Sequence, residues 1–425
     1  MFEDIPIKFF KGTHRIRDPK ETIEINEKKL RTAGITRLTE ITDLDRVKIP
    51  VFSAIRPTAQ SGGVSVYAGK GATVEQAKAS AMMEGFERYS AERQDIDGER
   101  TFVDTYNNIK NGQSTVDNAL DPKDLLLPKN YGNENVENSR LEWIEAEDII
   151  SEETIYVPSN AVFHPYIPTR DVSPSPIAIF KGNTNGLASG NIIEESVLHG
   201  IFEVVERDAW SIFELTKRNK KEINQDNIDN DIINELLDKF ASQGIDIKLM
   251  DITADLKITT IAASADDTVL KDPALLTLGV GTHLNPEVAV IRALTEVAQS
   301  RATQIHGTRE DTIRADFMRK SGYEHMKKMN RHYFQREEET INLSDIEDKS
   351  SHSIKKDIET SIEEVQKVGF NQVLYTDLTR EEIGINVARV IIPKAELYSL
   401  DEERLGNRAL EYDRKARRGL VWWRR

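Results

Sequence analysis

The sequence predicts an α/β or α+β fold. Glycine-rich loops lead into long helical patterns, and short β-branched segments lie between them. The chain has 425 residues, so we expect one large α/β domain or roughly two or three sub-domains. Apolar residues make up 38% of the chain and charged residues 30%, which is typical of a globular protein with a charged surface.

The first half of the chain alternates loops and helices. Lys20–Arg31 is predicted to be a helix. The stretch Ser61–Gly71 is rich in Gly and Ser and leads into a helical pattern over Val74–Arg93. A second loop, Lys181–Asn191, is rich in Gly, Asn and Ser and leads into a helix at Ile192–Thr216.

The second half adds strands and one further long helix. Asn285 and Pro286 are a good start for a helix over Glu287–His306. A polar loop is expected at residues 127–140, and charged surface helices are expected at residues 310–365. Strands are predicted at Thr154–Val157, Pro176–Phe180, Asp246–Asp251, Ile258–Ala263, Leu275–Val280 and Asn386–Ile392.

Composition excludes several classes of function. The net charge is −15, so nucleic acid is not expected as a partner, although the last dozen residues are locally basic. The chain has no cysteine, which excludes disulfides, thiolate zinc sites, iron–sulfur clusters and a cysteine nucleophile. No apolar run has the length of a membrane span, and residues 1–15 lack a signal-peptide core, so we expect a cytoplasmic protein.

Carboxylates line one side of the predicted helix at Ile192–Thr216. At about 100° per residue, Glu203 and Glu206 fall within roughly 80° of Glu195. His199 lies on the same stripe, where a structural role is expected rather than metal ligation. The opposite side is apolar and consists of Ile193, Val197, Ile201 and Val204.

Two other predicted helices carry a polar stripe of the same kind. On Val74–Arg93 the stripe consists of Ser80, Glu84 and Glu87, with Arg88 beside it. On Glu287–His306 it consists of Arg292, Glu296, Gln299 and Thr303. Any one such stripe is more often the solvated face of an amphipathic helix than a site.

The recurrence of paired glutamates favours a metal site. Like charges three residues apart on a helix repel mildly, and a divalent cation would neutralise them. Oxygen ligands without cysteine favour Mg²⁺ or Mn²⁺ over zinc, and protein-bound Mg²⁺ usually shares its ligands with phosphate. Arg88, Arg207 and Arg292 are then predicted to contact phosphate as bidentate donors.

The segment Gly63–Lys70 is not a Walker-type phosphate loop. Five residues separate Gly63 from Gly69, and Gly71 stands where Ser or Thr is required. The simpler interpretation of this glycine-rich stretch is a tight turn formed by Gly62, Gly63, Gly69 and Gly71.

Three segments resemble the signatures of the YcaO family and occur in the family's order. The first is Tyr67–Gly71 together with Ser80–Ser90, the second runs from Asn185 to Ala209, and the third is Arg292–Arg301. The C-terminal part is also similar through Val390–Pro393, Glu396 and Arg404. The resemblance covers the chain from about residue 60 to residue 410.

The resemblance implies a YcaO-type ATP-binding fold with mixed sheets and packed helices. It implies ATP and Mg²⁺ as cofactors and the transfer of phosphate to a backbone amide oxygen. The positions that match magnesium ligands are Glu84, Glu87, Glu203 and Glu206. The positions assigned to the nucleotide site are Ser80, Glu84, Glu87, Asn191, Glu195, Glu203, Arg207, Arg292 and Glu296.

Two N-terminal residues match the family by spacing. Arg15 and Thr22 correspond to a basic residue and a hydroxyl residue that contact the nucleotide, with Arg15 in place of a lysine found in some relatives. No catalytic residue is assigned. The implied organisation is an N-terminal segment at 1–60 that contributes to the nucleotide site, a YcaO-like core at 61–410 and a basic tail at 411–425.

The nucleophile decides the product. Sulfide would give a thioamide, whereas a neighbouring Cys, Ser or Thr of the substrate would give an azoline. Azoline-forming relatives often end in a proline-rich tail and carry a peptide-recognition domain, and neither is evident in this sequence. This favours similarity to the stand-alone archaeal type, which thioamidates a glycine of the methyl-coenzyme M reductase alpha subunit.

That type often works with a TfuA-like partner, and the absence of cysteine fits an external sulfide source. The resemblance also implies a homodimer. The alternatives are an azoline-forming cyclodehydratase of a ribosomal peptide and a non-catalytic nucleotide-binding accessory protein in sulfur transfer.

Overall fold

The computed structural model describes residues 2–129, 131–170, 172–218, 220–307, 314–337 and 340–422. The α-helices are α1 (Pro19–Asn26), α2 (Val74–Ala91), α3 (Tyr106–Lys110), α4 (Asn133–Glu137), α5 (Ser159–Val162), α6 (Ile193–Thr216), α7 (Asp231–Ala241), α8 (Pro286–His306), α9 (Arg314–Ser321), α10 (Tyr323–Met329), α11 (Arg331–Phe334), α12 (Ile354–Lys367) and α13 (Asn407–Trp422). The strands are β1 (Lys8–Phe10), β2 (Thr13–Arg15), β3 (Arg37–Glu40), β4 (Val51–Ile55), β5 (Val66–Lys70), β6 (Thr101–Thr105), β7 (Arg140–Asp148), β8 (Thr154–Pro158), β9 (Leu187–Gly190), β10 (Lys221–Ile223), β11 (Ile245–Asp251), β12 (Thr260–Asp267), β13 (Thr277–Thr282), β14 (Thr340–Ile341), β15 (Leu374–Asp377) and β16 (Asn386–Ile391).

The strands form several sheets that pack against helices, which confirms the predicted α+β class, and one of these sheets is mixed. The largest sheet has the order β6-β7-β15-β16-β9, with β8 also paired to β7. A second sheet has the order β13-β12-β11-β10-β14, a third is β3-β4-β5, and β1 and β2 form a hairpin. Pairing is antiparallel except between β10 and β14. No helix in the described ranges combines the length and apolar character needed to cross a bilayer.

Each of three long helices lies on a different sheet and belongs to a different hydrophobic cluster. Helix α2 packs on β5 and contributes Phe86 to a cluster that includes Trp143. Helix α8 packs on β13 and contributes Leu294. Helix α6 packs on β9 and β16, and its Phe202 joins a third cluster. The three helices are therefore fixed by separate cores.

Glycines let two of these helices approach their sheets closely. A Cβ atom on Gly69 of β5 would overlap the backbone of α2 at Ala77 and Ala81. A Cβ atom on Gly281 of β13 would likewise overlap the backbone of α8 at Ala289. Because Gly69 lies within a strand, the tight turn expected to include it is wrong at this position.

The helix starts follow the capping residues. The side chain of Asn285 accepts a hydrogen bond from Val288 N at 3.0 Å, and Pro286 is the first helical residue of α8. Thr73 caps α2 in the same way through Gln76 N at 3.3 Å. The predicted starts of these two helices are thus confirmed to within one residue.

Three element predictions need correction. Pro176–Phe180 forms no strand, because Pro174 and Pro176 lack the backbone N–H that a sheet requires. The predicted helix from Lys20 to Arg31 ends at Asn26 and continues as a short 3₁₀ turn. The loop expected at 127–140 contains the short helix α4.

The charged region at 310–365 is only partly surface. Helix α12 buries one face, formed by Ile354, Ile358, Ile362 and Val365, against the cluster that holds α6. The spacing of these residues repeats every three or four positions, which is the signature of an amphipathic helix. Within this region, residues 310–313, 338 and 339 lie outside the described residues.

Candidate functional site

Helices α2, α6 and α8 and the N-terminal hairpin enclose a cavity of about 620 Å³. Every residue predicted for the site lines it. These residues are Arg15, Thr22, Ser80, Glu84, Glu87, Asn191, Glu195, Glu203, Glu206, Arg207, Arg292 and Glu296. Polar stripes from three helices, each of which alone could have been solvent-facing, therefore meet at one place.

The N-terminal segment is joined to the start of α6 by hydrogen bonds. Thr22 Oγ1 donates to Asn191 Oδ1 at 3.0 Å. Glu195 Oε2 accepts from the backbone N and the Nδ2 of Asn191 at 2.7 and 2.8 Å. Glu195 Oε1 accepts from Ile16 N at 3.3 Å and lies 3.6 Å from Arg15 Nε. Glu195 thus fixes the position of Arg15 at the edge of the cavity.

Helix α2 brings two carboxylates together with one arginine. Arg88 Nη2 lies 3.4 Å from Glu84 Oε1, and Arg88 Nε lies 3.7 Å from Glu87 Oε1. Burial raises the pKa of Glu87 well above its usual value, and the charges of Glu84 and Glu203 act in the same direction against that of Arg88. Burial also raises the pKa of Glu203. Arg88 alone does not neutralise this acidic group.

Glu206 is the most strongly enclosed carboxylate of the four predicted metal ligands. It is 3% exposed, and its Oε2 has no hydrogen-bond partner. Arg207 Nη2 lies 3.4 Å from its other oxygen. Burial raises the pKa of Glu206 to about 7, with a further contribution from Glu296, while Arg207 opposes the shift. An enclosed carboxylate with a free oxygen is suited to a cation.

Positive groups lie on the α8 side of the cavity. Arg292 Nη1 lies 3.1 Å from His199 Nδ1, and Arg292 Nε is buried without a hydrogen-bond partner. Burial lowers the pKa of both Arg292 and His199, and the arginine charge lowers that of His199 further. His199 is therefore a neutral acceptor for Arg292, whose remaining N–H groups are suited to an anion.

The four glutamates Glu84, Glu87, Glu203 and Glu206 share the cavity without forming a finished metal cage. Among the residues that the structure describes, no three acidic or histidine side chains lie close enough to hold one ion. Mutual repulsion keeps uncompensated carboxylates apart, so holding Mg²⁺ would need these side chains to turn toward it. Such an ion fits the buried, partner-free oxygen of Glu206 and the three half-buried carboxylates of Glu84, Glu87 and Glu203, and the arginines beside them fit the phosphates that would accompany it.

Lys70 is a site residue that the sequence reasoning missed. It ends β5, lines the cavity and pairs with Glu296 on α8. This pair lowers the pKa of Glu296, against the effect of burial. The signal was a lysine between Gly69 and Gly71, at the end of a strand that precedes a helix. The spacing around this lysine does not match the Walker motif, so the motif alone gives Lys70 no role.

Comparison with known proteins gives a family match over most of the chain. The model of a family described as YcaO cyclodehydratase, ATP- and Mg²⁺-binding, matches residues 68–396. A protein of Methanothermobacter thermautotrophicus described only as uncharacterized is 54% identical over 390 residues, which is 92% of this chain and 97% of that protein. An uncharacterized protein in the tfuA 3′ region of Rhizobium leguminosarum bv. trifolii is 32% identical, covering 69% of this chain and 68% of that protein.

Solved structures agree with the fold. YcaO from Methanopyrus kandleri, bound with AMPPCP and Mg²⁺, has a TM-score of 0.73 and is 29% identical, over 95% of this chain and 98% of that chain. A heterocyclase in complex with substrate and cofactor has a TM-score of 0.75 at 23% identity, over 93% of this chain and 54% of that chain. The second likeness concerns the fold alone.

Proposed function

This chain belongs to the YcaO family, and from that premise we propose that it replaces a peptide backbone amide oxygen with sulfur, using ATP and Mg²⁺. The observation that carries the proposal is the convergence on one cavity of every residue assigned to the metal or the nucleotide, with carboxylates and arginines on its walls. Cavities of this size with both charge signs are suited to a metal–nucleotide complex.

We assign the metal to the acidic walls and the phosphates to the basic ones. Glu84 and Glu87 on α2 face Glu203 and Glu206 on α6, and these four would hold Mg²⁺. Arg292 has a buried N–H without a partner and would donate to phosphate oxygens. Other cavity residues assigned to the nucleotide are Arg15, Thr22, Ser80, Asn191, Glu195, Arg207 and Glu296.

When bound, ATP and Mg²⁺ would supply the means to remove the amide oxygen. Hydrosulfide would add to the carbonyl carbon, and the resulting oxyanion would take the γ-phosphoryl group of ATP as ADP leaves. The carbon–oxygen bond would then break, so that phosphate leaves with that oxygen, the sulfur loses its proton and the thioamide remains. The chain's own contribution is to position these groups. Arg207 lies between Glu206 and the Trp210 ring, 5.2 Å from the ring centroid, and can stabilise charge on the transferring group.

Sulfide is the nucleophile that the chain favours. The protein has no cysteine to carry a persulfide, so sulfur would come from outside. The relative encoded in a tfuA 3′ region supports a TfuA-like partner as the source. A glycine of the methyl-coenzyme M reductase alpha subunit stays the substrate that the family resemblance predicts. The homodimer stays a prediction from the family.

The test is peptide-dependent ATP turnover followed by mass spectrometry. The protein is incubated with Mg²⁺, ATP, sulfide and a peptide that spans the candidate glycine. We expect ADP release that requires both peptide and sulfide, and a mass gain equal to exchange of one oxygen for sulfur. Loss of one water would instead indicate an azoline. Nucleotide binding without ADP release for any peptide would favour the accessory role.

A further inference from the structure

A second, smaller cavity of about 60 Å³ lies next to the larger one and shares no lining residue with it. Val204 of α6 lines the smaller cavity, while its neighbour Glu203 lines the larger. The other walls come from the turn at Asp124 and Leu125, from α5, from the loop before β9, from β16 and from the segment that follows β16. Two arginines, Arg389 and Arg404, are among the lining residues.

Both arginines are buried with unused hydrogen-bond donors. Arg389 is 4% exposed and donates to the backbone O and the Oδ1 of Asn183 at 3.0 and 3.2 Å, but its Nε has no partner. Arg404 is 3% exposed, and both its Nε and Nη2 lack hydrogen-bond partners. Leaving such charged donors unpaired in a protein interior is costly.

Arg389 has no ion-pair partner among the residues that line this cavity, although the charges of Glu203 and Glu87 in the larger cavity act on it. Arg404 Nε lies 3.4 Å from Asp401 Oδ2, whereas Arg389 has no carboxylate within ion-pair distance in the described part of the chain. Lys181 and Lys394 add positive charge where the cavity meets the surface, and Asp124 lies 3.4 Å from Lys394. Burial lowers the pKa of Arg389 to about 10, so the group is still charged at neutral pH.

We propose that this cavity binds a small oxyanion between the guanidinium groups of Arg389 and Arg404. Water in the cavity could accept the free N–H groups but could not neutralise the charge of Arg389, whereas an anion does both. The volume admits an inorganic phosphate or a single carboxylate and excludes a nucleotide. The proposal does not depend on the reaction proposed above.

Phosphate-induced stabilisation tests this site. The Tm of the full chain is followed against sodium phosphate at constant ionic strength, with sodium acetate as a second arm. Two variants are compared with the wild type: Arg404→Gln in the small cavity and Arg292→Gln in the large one. The readout is the shift in Tm that the anion causes, so a change in basal stability does not obscure it.

We expect phosphate to raise the Tm of the wild type and of Arg292→Gln, and to bind Arg404→Gln about tenfold more weakly or worse. A rise in Tm with acetate as well as phosphate would show that the site also accepts carboxylates. A rise with phosphate alone would show that it is specific for a tetrahedral oxyanion. A shift that survives Arg404→Gln and disappears in Arg292→Gln would overturn the proposal.

A direct measurement covers the case in which Arg404→Gln does not fold. Wild-type crystals grown without sulfate or phosphate are soaked in sodium selenate, and the anomalous signal of selenium is located. A peak between Arg389 and Arg404 supports the site. Anomalous peaks confined to the larger cavity would contradict it.

Discussion

At the residue scale, the cavity is defined by carboxylates that the protein itself does not neutralise. Glu206 is buried with one free oxygen, and Glu87 is half-buried beside Glu84 and Glu203. Such groups lower stability unless a ligand pairs with them, so their retention points to binding and not to folding.

The substitution Glu206→Gln distinguishes a role of this residue in ligand binding from a role in folding. The substitution keeps the shape of the side chain and removes its charge, so we expect Mg²⁺-dependent nucleotide binding to weaken by about tenfold or more while stability does not fall. Calorimetric titration with Mg²⁺ and a non-hydrolysable ATP analogue measures the first effect, and thermal denaturation measures the second.

Glu194→Gln is the matched control, because Glu194 is on the same helix and buried but does not line the cavity. Its carboxylate accepts a hydrogen bond from Glu3 N at 3.1 Å, so this variant should lose some stability and keep its nucleotide affinity. Normal binding by Glu206→Gln would contradict the ligand assignment.

The binding of Mg²⁺ should depend on pH because Glu206 must lose its proton. Without metal the pKa of Glu206 is raised to about 7, and only the ionised carboxylate can hold Mg²⁺. Below pH 7 a proton must leave before the ion binds, so the affinity for Mg²⁺ should fall by up to about tenfold for each further pH unit.

Titrations in two buffers of different ionisation enthalpy would show the released proton as a buffer-dependent heat. Glu206→Gln should reduce that dependence but not remove it, because Glu87 and Glu203, whose pKa values are also raised, can still release protons. Identical heats in both buffers for the wild type at neutral pH would show that Glu206 is already ionised.

At the element scale, the distance between helix and sheet decides where the site residues lie. Gly281 faces α8 so closely that a methyl group would overlap the backbone of Ala289. Gly281→Ala should therefore destabilise the protein by about 3 kcal/mol and displace Arg292 and Glu296, which weakens nucleotide binding. Denaturant unfolding gives the stability change.

Gly98→Ala provides the comparison, since a Cβ atom at that position meets nothing within 4 Å. It should leave stability within about 0.5 kcal/mol of the wild type. Equal effects of the two substitutions would show that close packing of β13 and α8 does not position the site.

The element patterns explain which predictions succeeded. The long helices α2, α6 and α8 were predicted to within two residues because each has a capping residue or a long apolar repeat. The strand predicted at Pro176–Phe180 was wrong, because an apolar segment does not form a strand when prolines remove the backbone N–H donors that a sheet requires. The buried face of α12 was hidden by the high charge of its other face.

At the scale of the whole molecule, three hydrophobic clusters each hold one wall of the cavity. A ligand that bridges the walls should stabilise all three together. We expect a single cooperative thermal transition in calorimetry. The free energy of unfolding should rise by about 2.7 kcal/mol when Mg²⁺–nucleotide is present at about 100 times its Kd. Two transitions, of which only one responds to the ligand, would show that the clusters unfold independently.

Local sequence patterns could not predict that residues far apart in the chain line the same cavity. Helical spacing placed Glu203 and Glu206 on one stripe, but no periodicity connects them with Arg15 or Thr22. These two were predicted only from the family resemblance, and the structure places them at the same cavity. Arg389 was missed because a single arginine in a β-branched strand gives no sign of a pocket beside it.

The residues that line the larger cavity extend along the sequence from Gly12 to Gln304, so the pocket can be complete only after most of the chain has been synthesised. The hairpin leaves the ribosome first, yet its partner wall on α8 is translated almost three hundred residues later. A nascent chain stalled before α8 could therefore have folded its early strands and still possess no complete nucleotide pocket. Captured ribosome complexes of increasing length should gain ATP affinity abruptly, once the segment through Gln304 has cleared the exit tunnel.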